Sequence, residues 1–168
     1  VHEDYIGAGA QVITANTYST ARHVLESLDL GDEVRSINTE AVRLAQSARD
    51  IAAKGETWIA GSMSSMAPFS SQQEVAAGEK VADNYQELAE ILAEAGVDLI
   101  IAEMMRDAEN ARMVIEAALS TGLPVWIGYS AMMADDGESV MSWRWKSTLP
   151  TGDFGELVET LVPLGGQA

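Results

Sequence analysis

One pattern occurs four times along this chain and limits it to one class of fold. In each copy a helical segment ends near a glycine, and a short apolar run rich in β-forming residues follows. Glycine suits the left-handed position just past a helix end. The runs show little alternation of apolar and polar residues, as expected for strands that are covered on both faces. The runs are Gln11–Asn16, Thr57–Gly61, Asp98–Glu103 and Pro124–Tyr129, and the glycines before them are Gly9, Gly55, Gly96 and Gly122.

The segments between the runs carry apolar stripes at spacings of three and four, which predict amphipathic helices. Asp107 is placed to cap the third of these helices. Asp153 with Glu156 resembles a capping box for a last helix over about residues 154–163. The stripes are Val34, Ile37, Ala41, Leu44, Ala48 and Ile51; Val81, Tyr85, Leu88, Leu92 and Ala95; and Ala108, Ala111, Ile115 and Ala118.

Strands that alternate with helices imply parallel pairing with right-handed crossovers. A doubly wound sheet and a closed barrel both satisfy this pattern. No Gly-x-Gly-x-x-Gly follows any of the runs, so a dinucleotide-binding sheet loses support. The Ser-, Gln- and Gly-rich segment 62–78 predicts a loop, and Asp136-Gly137, within the long connection 131–152, predicts a small hairpin.

Charge and cysteine content restrict the partners and the compartment. Ten basic against 26 acidic residues give a formal net charge of −16, which opposes binding to nucleic acid or to an anionic membrane surface. No apolar run approaches the roughly 18 residues of a membrane span. The chain has no cysteine, which excludes disulfides and is consistent with a reducing, cytoplasmic location.

Sites in parallel α/β folds gather at the carboxyl ends of the strands. Glu103 is the strongest candidate there, because a carboxylate that closes a buried apolar run can bind an ammonium group. The alternative is that Glu103 only reaches water and caps the next helix. Asn16 ends the first run, Thr17 follows it and Ser62 follows the second run, where they serve either ligand binding or ordinary turn formation. His2 and His23 lie in predicted helices without metal-ligand spacing.

Four blocks of this sequence, in order, resemble the second to fifth strand regions of the homocysteine S-methyltransferase family. The resemblance extends over nearly the whole chain. The blocks are His2–Tyr18, with Val12-Ile13-Thr14 and Asn16-Thr17-Tyr18; Ile59–Ser62; Glu94–Glu103, followed by Glu109 and Ala111; and Pro124–Ile127, followed by Asp136-Gly137.

The resemblance implies a fold and a reaction. The expected fold class is α/β, with parallel (β/α) units that form part of a TIM-type (β/α)8 barrel, roughly strands 2–5. Residues 1–168 then form a single incomplete homocysteine-binding barrel domain. In the family, a zinc ion held by three cysteines binds the thiolate of homocysteine, because a coordinated thiol is deprotonated at neutral pH. A small-molecule donor such as S-methylmethionine, betaine or a methylfolate-charged cofactor then gives its methyl group, and methionine forms.

By resemblance, Glu103 matches the glutamate that holds the amino group of the substrate, and Asn16 and Thr17 match residues near the pocket. Ser62 completes the predicted substrate-binding set. The family's first strand would precede Val1 and its zinc cysteines would follow Ala168. We therefore assign no catalytic residue and no metal ligand within the chain, and expect the chain alone to bind no zinc and to transfer no methyl group.

Two other functions stay open at this point. Four parallel strands leave two open edges and an uncovered face, which favours a non-catalytic half-barrel that forms a homo-oligomer. Alternatively, an unrelated small-molecule enzyme could use the same barrel, with Glu103 as its acid or base.

Overall fold

The computed structural model describes residues 1–66, 79–142 and 153–166, and its helices alternate with strands along the chain. A four-stranded sheet and a separate two-stranded hairpin account for the described strands. The helices are α1 His2–Gly7, α2 Arg22–Glu26, α3 Val34–Ala52, α4 Glu79–Ala95, α5 Ala108–Ser120 and α6 Phe154–Leu161, with short 3-10 turns at Gly31–Glu33 and Val162–Leu164; the strands are β1 Val12–Thr14, β2 Trp58–Ser64, β3 Leu99–Met105, β4 Val125–Tyr129, β5 Ala131–Met133 and β6 Val140–Ser142.

The large sheet has the order β1-β2-β3-β4, and all of its pairs are parallel. Consecutive strands are therefore neighbours, each joined to the next by a helical crossover, as the four-fold sequence pattern predicts. Ile13 pairs with Ile59, and Gly61 pairs with Ile100. The predicted α/β fold class is confirmed at this level. None of the described helices is both long enough and apolar enough to span a bilayer.

The main core lies between the helices and one face of this sheet. Successive side chains of a strand point to opposite faces, so alternate positions on the strands join the helix-side core. Ile59 and Met63 of β2 and Ile100 and Ala102 of β3 are fully buried there. Tyr85, Leu88 and Leu92 of the predicted stripe on α4, and Ala111, Ile115 and Ala118 of that on α5, are buried against them.

The predicted stripe on α3 is confirmed at Val34 and Ala48, which are buried, and wrong at Leu44 and Ile51. Leu44 and Ile51 are 51% and 69% exposed, whereas the residues that face the core are Val34, Asn38, Val42, Ala45 and Ala48. The small side chains of Val42 and Ala45 are fully buried, so they let α3 pack closely against the main core. Buried Asn38 is tolerated because its amide donates to the carbonyl oxygens of Val34 and Thr20.

Three of the four predicted helix-ending glycines adopt the left-handed conformation: Gly9, Gly96 and Gly122 have φ values of +103°, +86° and +75°. The prediction for Gly55 is wrong. Helix α3 ends earlier, at Ala52, where Ala53 turns into extended backbone with φ −69° and ψ 129°. A left-handed residue is then unnecessary, because the chain leaves the helix directly.

Both predicted aspartate caps are confirmed. The Asp107 side chain accepts a hydrogen bond from the Asn110 backbone N–H, and Asp153 accepts one from the backbone N–H of Glu156. The hairpin around Asp136-Gly137 is also confirmed, as the antiparallel pair β5–β6. Strand β2 extends to Ser64, so the loop predicted over 62–78 begins later than expected; residues 67–78 of that loop, and residues 143–152 of the long connection, lie outside the described residues.

Candidate functional site

Three of the four predicted site residues form one connected contact at the carboxyl ends of β1, β2 and β3. The Ser62 hydroxyl donates a hydrogen bond of 2.8 Å to Oε1 of Glu103. Thr17, which follows β1, contacts the main chain of Ser62 through its hydroxyl. Because parallel strands end on the same edge of the sheet, residues separated by more than 40 positions in sequence meet there.

Glu103 is only half-buried, whereas Ser62 beside it is 1% exposed. Ser62 therefore holds one carboxylate oxygen from the protein side. Among the described residues no ion pair involves Glu103, although seven ion pairs join other groups. The carboxylate is thus oriented by a neutral donor, and its charge is not neutralised by a described Lys or Arg.

Thr17 and Asn16 differ in position although they are adjacent in sequence. The Thr17 side chain is fully buried, and its hydroxyl both donates to the Ser62 carbonyl and accepts from the Ser62 N–H, each at 2.9 Å. Asn16 is exposed beside it. Of these two, only Asn16 is open to a ligand.

A β-bulge in β3 adjoins the Glu103 carboxylate. Ala102 pairs with Ile127, but Met105 pairs with Tyr129, so β3 contains one residue more than β4 across this stretch. The extra residue is accommodated by Met104, whose φ of +59° is uncommon for a residue other than glycine. Bulges redirect side chains near active sites, and this one returns Met105 to the buried helix side. No sequence signal marked it.

Glu103 lies on the face of the sheet opposite the helices, which we call the concave face. Register places Ser62, Ile101 and Trp126 side by side on it. Trp126 is 42% exposed, and Trp58, at the start of β2, is 44% exposed. The apolar runs predicted strands covered on both faces, and the outcome differs along the sheet: β2 is buried on both faces from Ile59 to Ser64, whereas Trp126 of β4 is exposed. Apolar Ile101 therefore precedes Glu103 on the same face of β3, with Trp126 beside it on β4.

A polar cluster that sequence reasoning missed lies on the helix side, near the end of β2. Nε2 of His23 is 3.1 Å from the Met66 carbonyl oxygen, and Nδ1 is 3.5 Å from Nδ2 of Asn84. The His23 ring also packs edge-on against Tyr85 at 5.2 Å. Burial lowers the pKa of His23, although the Met66 carbonyl opposes the shift. Burial also raises the pKa of Tyr85, so both rings are neutral near pH 7.

Comparison with known proteins identifies the family. The model of the family described as homocysteine S-methyltransferase matches residues 1–151. The chain belongs to the homocysteine S-methyltransferase family. Betaine–homocysteine S-methyltransferase 1 of Danio rerio is 27% identical over 127 residues, which are 74% of this chain and 30% of that protein.

Solved structures of the homocysteine methyltransferase MmuM from Escherichia coli share the fold. The metallated form has a TM-score of 0.69 at 19% identity, and the oxidized form a TM-score of 0.70 at 20% identity. Both alignments cover 98% of this chain, but only 58% and 57% of those chains. The parallel sheet with its helices thus matches part of a homocysteine methyltransferase barrel, and the chain spans little more than half of the MmuM length.

The residues of this chain do not fit the zinc site that the family resemblance implies. That site uses three thiolates, and the chain contains no cysteine. The described residues also contain no cluster of three or more His, Asp or Glu side chains placed to hold a metal ion.

Proposed function

We propose that this chain supplies the amine-binding part of a homocysteine S-methyltransferase site, in which Glu103 binds the α-ammonium group of homocysteine. The observation that carries the proposal is the half-buried Glu103 carboxylate, oriented by the Ser62 hydroxyl at 2.8 Å without a described cationic partner. Family membership supplies the substrate class.

The contacts of Glu103 suit an ammonium group. Oε1 accepts from Ser62, and no described side chain or backbone group donates to Oε2. A hydrogen bond between a carboxylate and an ammonium is charge-assisted, so it is shorter and about twice as strong as a neutral one. Ser62 is the second member of the proposed set, and exposed Asn16 lies at the same edge to meet the polar end of an amino acid. Buried Thr17 belongs to the set through its contact with Ser62.

Methyl transfer completes the proposed function of the family domain. Homocysteine and a small-molecule methyl donor are the proposed partners, and zinc, when bound to family members, makes the substrate thiolate available at neutral pH. The residues of this chain bind and orient the amino acid end. We expect the isolated chain to bind homocysteine without turning it over.

The test compares the full chain with Glu103→Gln, which keeps the shape and removes the charge. We expect Glu103→Gln to weaken L-homocysteine binding about tenfold or more, because a hydrogen bond to a charged group contributes about 1.5–3 kcal/mol. NMR titration measures the Kd. The analogue 4-mercaptobutanoate lacks the amino group and should bind both proteins equally.

Glu56→Gln is the matched control, since it removes one negative charge from an exposed side chain just before β2, at the opposite end of the strands. It should leave the Kd of homocysteine within about twofold. Equal affinity of wild type and Glu103→Gln for homocysteine, or no binding by the wild-type chain at millimolar concentration, contradicts the amine site.

A further inference from the structure

Strand β1 ends before β2 does, so the last residues of β2 have no backbone hydrogen-bond partner on β1. The Ala15 N–H donates to the Ala60 carbonyl at 2.8 Å, which is the last backbone bond between the two strands. The Ala15 carbonyl then accepts from the N–H of Thr17, also at 2.8 Å, in a tight local turn. The main-chain N–H and C=O of Ser62, two residues beyond Ala60 on the same side of β2, thus lack a backbone partner on β1.

The side chain of Thr17 replaces the missing backbone groups. Its hydroxyl accepts from the Ser62 N–H and donates to the Ser62 carbonyl, both at 2.9 Å. A hydroxyl can do this because a single oxygen carries one donor and two acceptor sites. Thr17 is fully buried and Ser62 is 1% exposed, so loss of the hydroxyl would leave two buried main-chain groups unsatisfied at about 1–3 kcal/mol each.

The same residue of β2 carries the hydroxyl that orients Glu103. The order of contacts is therefore Thr17 hydroxyl, Ser62 main chain, Ser62 hydroxyl and Glu103 Oε1. We propose that Thr17 is a positioning residue, which fixes the carboxylate of Glu103 for a substrate ammonium group by holding the main chain of Ser62. This inference rests on the proposed function of Glu103.

Direct ligand binding by Thr17 is a poorer explanation of the same geometry. Its side chain has no exposed surface, and its hydroxyl already makes one donated and one accepted hydrogen bond to Ser62. A ligand could reach the Thr17 hydroxyl only by breaking its two hydrogen bonds to Ser62. Exposed Asn16 has no such restriction. Thr17 therefore affects the position of the Glu103 carboxylate indirectly, through Ser62.

Thr17→Val and Thr17→Ser separate the hydroxyl from the rest of the side chain. Valine keeps the shape of threonine without the hydroxyl, and serine keeps the hydroxyl without the methyl group. We expect Thr17→Val to weaken L-homocysteine binding about five- to thirtyfold with little change for 4-mercaptobutanoate, and Thr17→Ser to stay within about threefold of wild type. Amide hydrogen exchange of Ser62 should become faster in Thr17→Val alone.

A double-mutant cycle distinguishes positioning from a general structural role. If Thr17 acts through Glu103, then Thr17→Val adds almost nothing to the loss already caused by Glu103→Gln. Additive losses in the double variant overturn the positioning role. If Thr17→Val does not fold, Thr17→Ala replaces it, because the smaller side chain leaves space for a water molecule to satisfy the two Ser62 groups. A loss of about three- to tenfold, with the same non-additivity, is then expected.

The two proposals fail in different ways. Equal homocysteine binding by wild type and Glu103→Gln removes the amine site and, with it, the role of Thr17. Weak binding by Glu103→Gln together with full-strength binding by folded Thr17→Val or Thr17→Ala removes only the positioning role.

Discussion

The two faces of the large sheet bury different side chains, and they differ most in exposure at the two strand tryptophans. On the helix side, Ile59, Met63 and Ile100 are fully buried in the main core. On the concave face, Trp58 of β2 and Trp126 of β4 are more than 40% exposed, whereas Ala60, Ser62 and Leu99 on the same face are buried. The period-two alternation of a strand sends neighbouring residues to the two faces, so Ile100 and Ile101 of β3, and Val125 and Trp126 of β4, differ in burial.

Because of this difference, substitutions on the two faces should affect different properties of the chain. Burial of apolar surface against α3, α4 and α5 stabilises the sheet from one side. The other side carries the row Ser62, Ile101 and Trp126, with Glu103 above it at the carboxyl end. The helix side should therefore respond to substitution mainly through the free energy of unfolding, and the concave face mainly through ligand binding.

The largest expected effect is on the free energy of unfolding, and two neighbouring isoleucines of β3 test it. Ile100→Ala removes a fully buried side chain from the helix-side core and should lower the free energy of unfolding by about 2–5 kcal/mol, through lost burial and a residual cavity. Ile101→Ala is the matched control, because Ile101 is only partly buried on the concave face, and should cost about 1 kcal/mol. Urea unfolding at pH 7 measures both, and equal losses would show that the two faces are equally packed.

Two glycines, one on each face, allow the space for an added Cβ to be compared. A Cβ at Gly61 of β2 would lie 3.0 Å and 3.3 Å from the two δ-carbons of Leu92, because α4 packs directly on the strand there. Gly61→Ala should destabilise the chain by about 1–2 kcal/mol, since fully buried Leu92 has little room to move. At Gly128, on the concave side of β4, the nearest atom would be the Ala102 carbonyl oxygen at an ordinary 3.7 Å.

Gly128→Ala should therefore change the free energy of unfolding by no more than about 0.5 kcal/mol. Thermal or urea unfolding of the two alanine variants under the same conditions compares them. A loss at Gly128 as large as that at Gly61 would contradict the open space beside β4.

The smallest expected effect is a dependence on pH on the helix side. Burial holds the pKa of His23 below its usual 6.5, so the folded state binds its proton less readily than the unfolded state. The contribution of neutral His23 to stability is complete above about pH 6.5 and decreases as the pH falls towards its lowered folded-state pKa. His23→Gln keeps a donor for the Met66 carbonyl but does not titrate.

We expect the stability advantage of wild type over His23→Gln to shrink between pH 7.5 and pH 5. Urea unfolding at both pH values measures the difference, and common loss of carboxylate interactions cancels between the two proteins. Parallel pH profiles of the two proteins would exclude a titrating role for His23.

Much of the fold could be predicted because its signals are local. The four apolar runs predicted the four strands of the parallel sheet, and the caps Asp107 and Asp153 marked two helix starts. The α3 stripe was misplaced because α3 carries apolar residues on two adjacent faces. Only packing decides which of them, Val42 and Ala45 or Leu44 and Ile51, meets the core.

The candidate site was predicted as a set of residues, but not as an arrangement. The position of four residues at or just after the ends of apolar runs indicated the carboxyl edge of the sheet: Glu103, Ser62, Asn16 and Thr17. Nothing in the sequence indicated that the Thr17 hydroxyl completes the β1–β2 ladder, or that Met104 adopts a φ of +59° beside Glu103. Both features depend on where neighbouring strands end relative to one another.

By itself the sequence determined the order of the elements, the parallel α/β class and, through four blocks of residues, the family. These follow from local periodicity and short motifs, which are carried by residues near each other in the chain. The tertiary structure alone decided which face of each strand is covered, which hydroxyl is buried and which carboxylate oxygen is held. Those properties arise from contacts between residues 41 to 45 positions apart, and the register that brings them together is fixed only when the whole sheet packs against its helices.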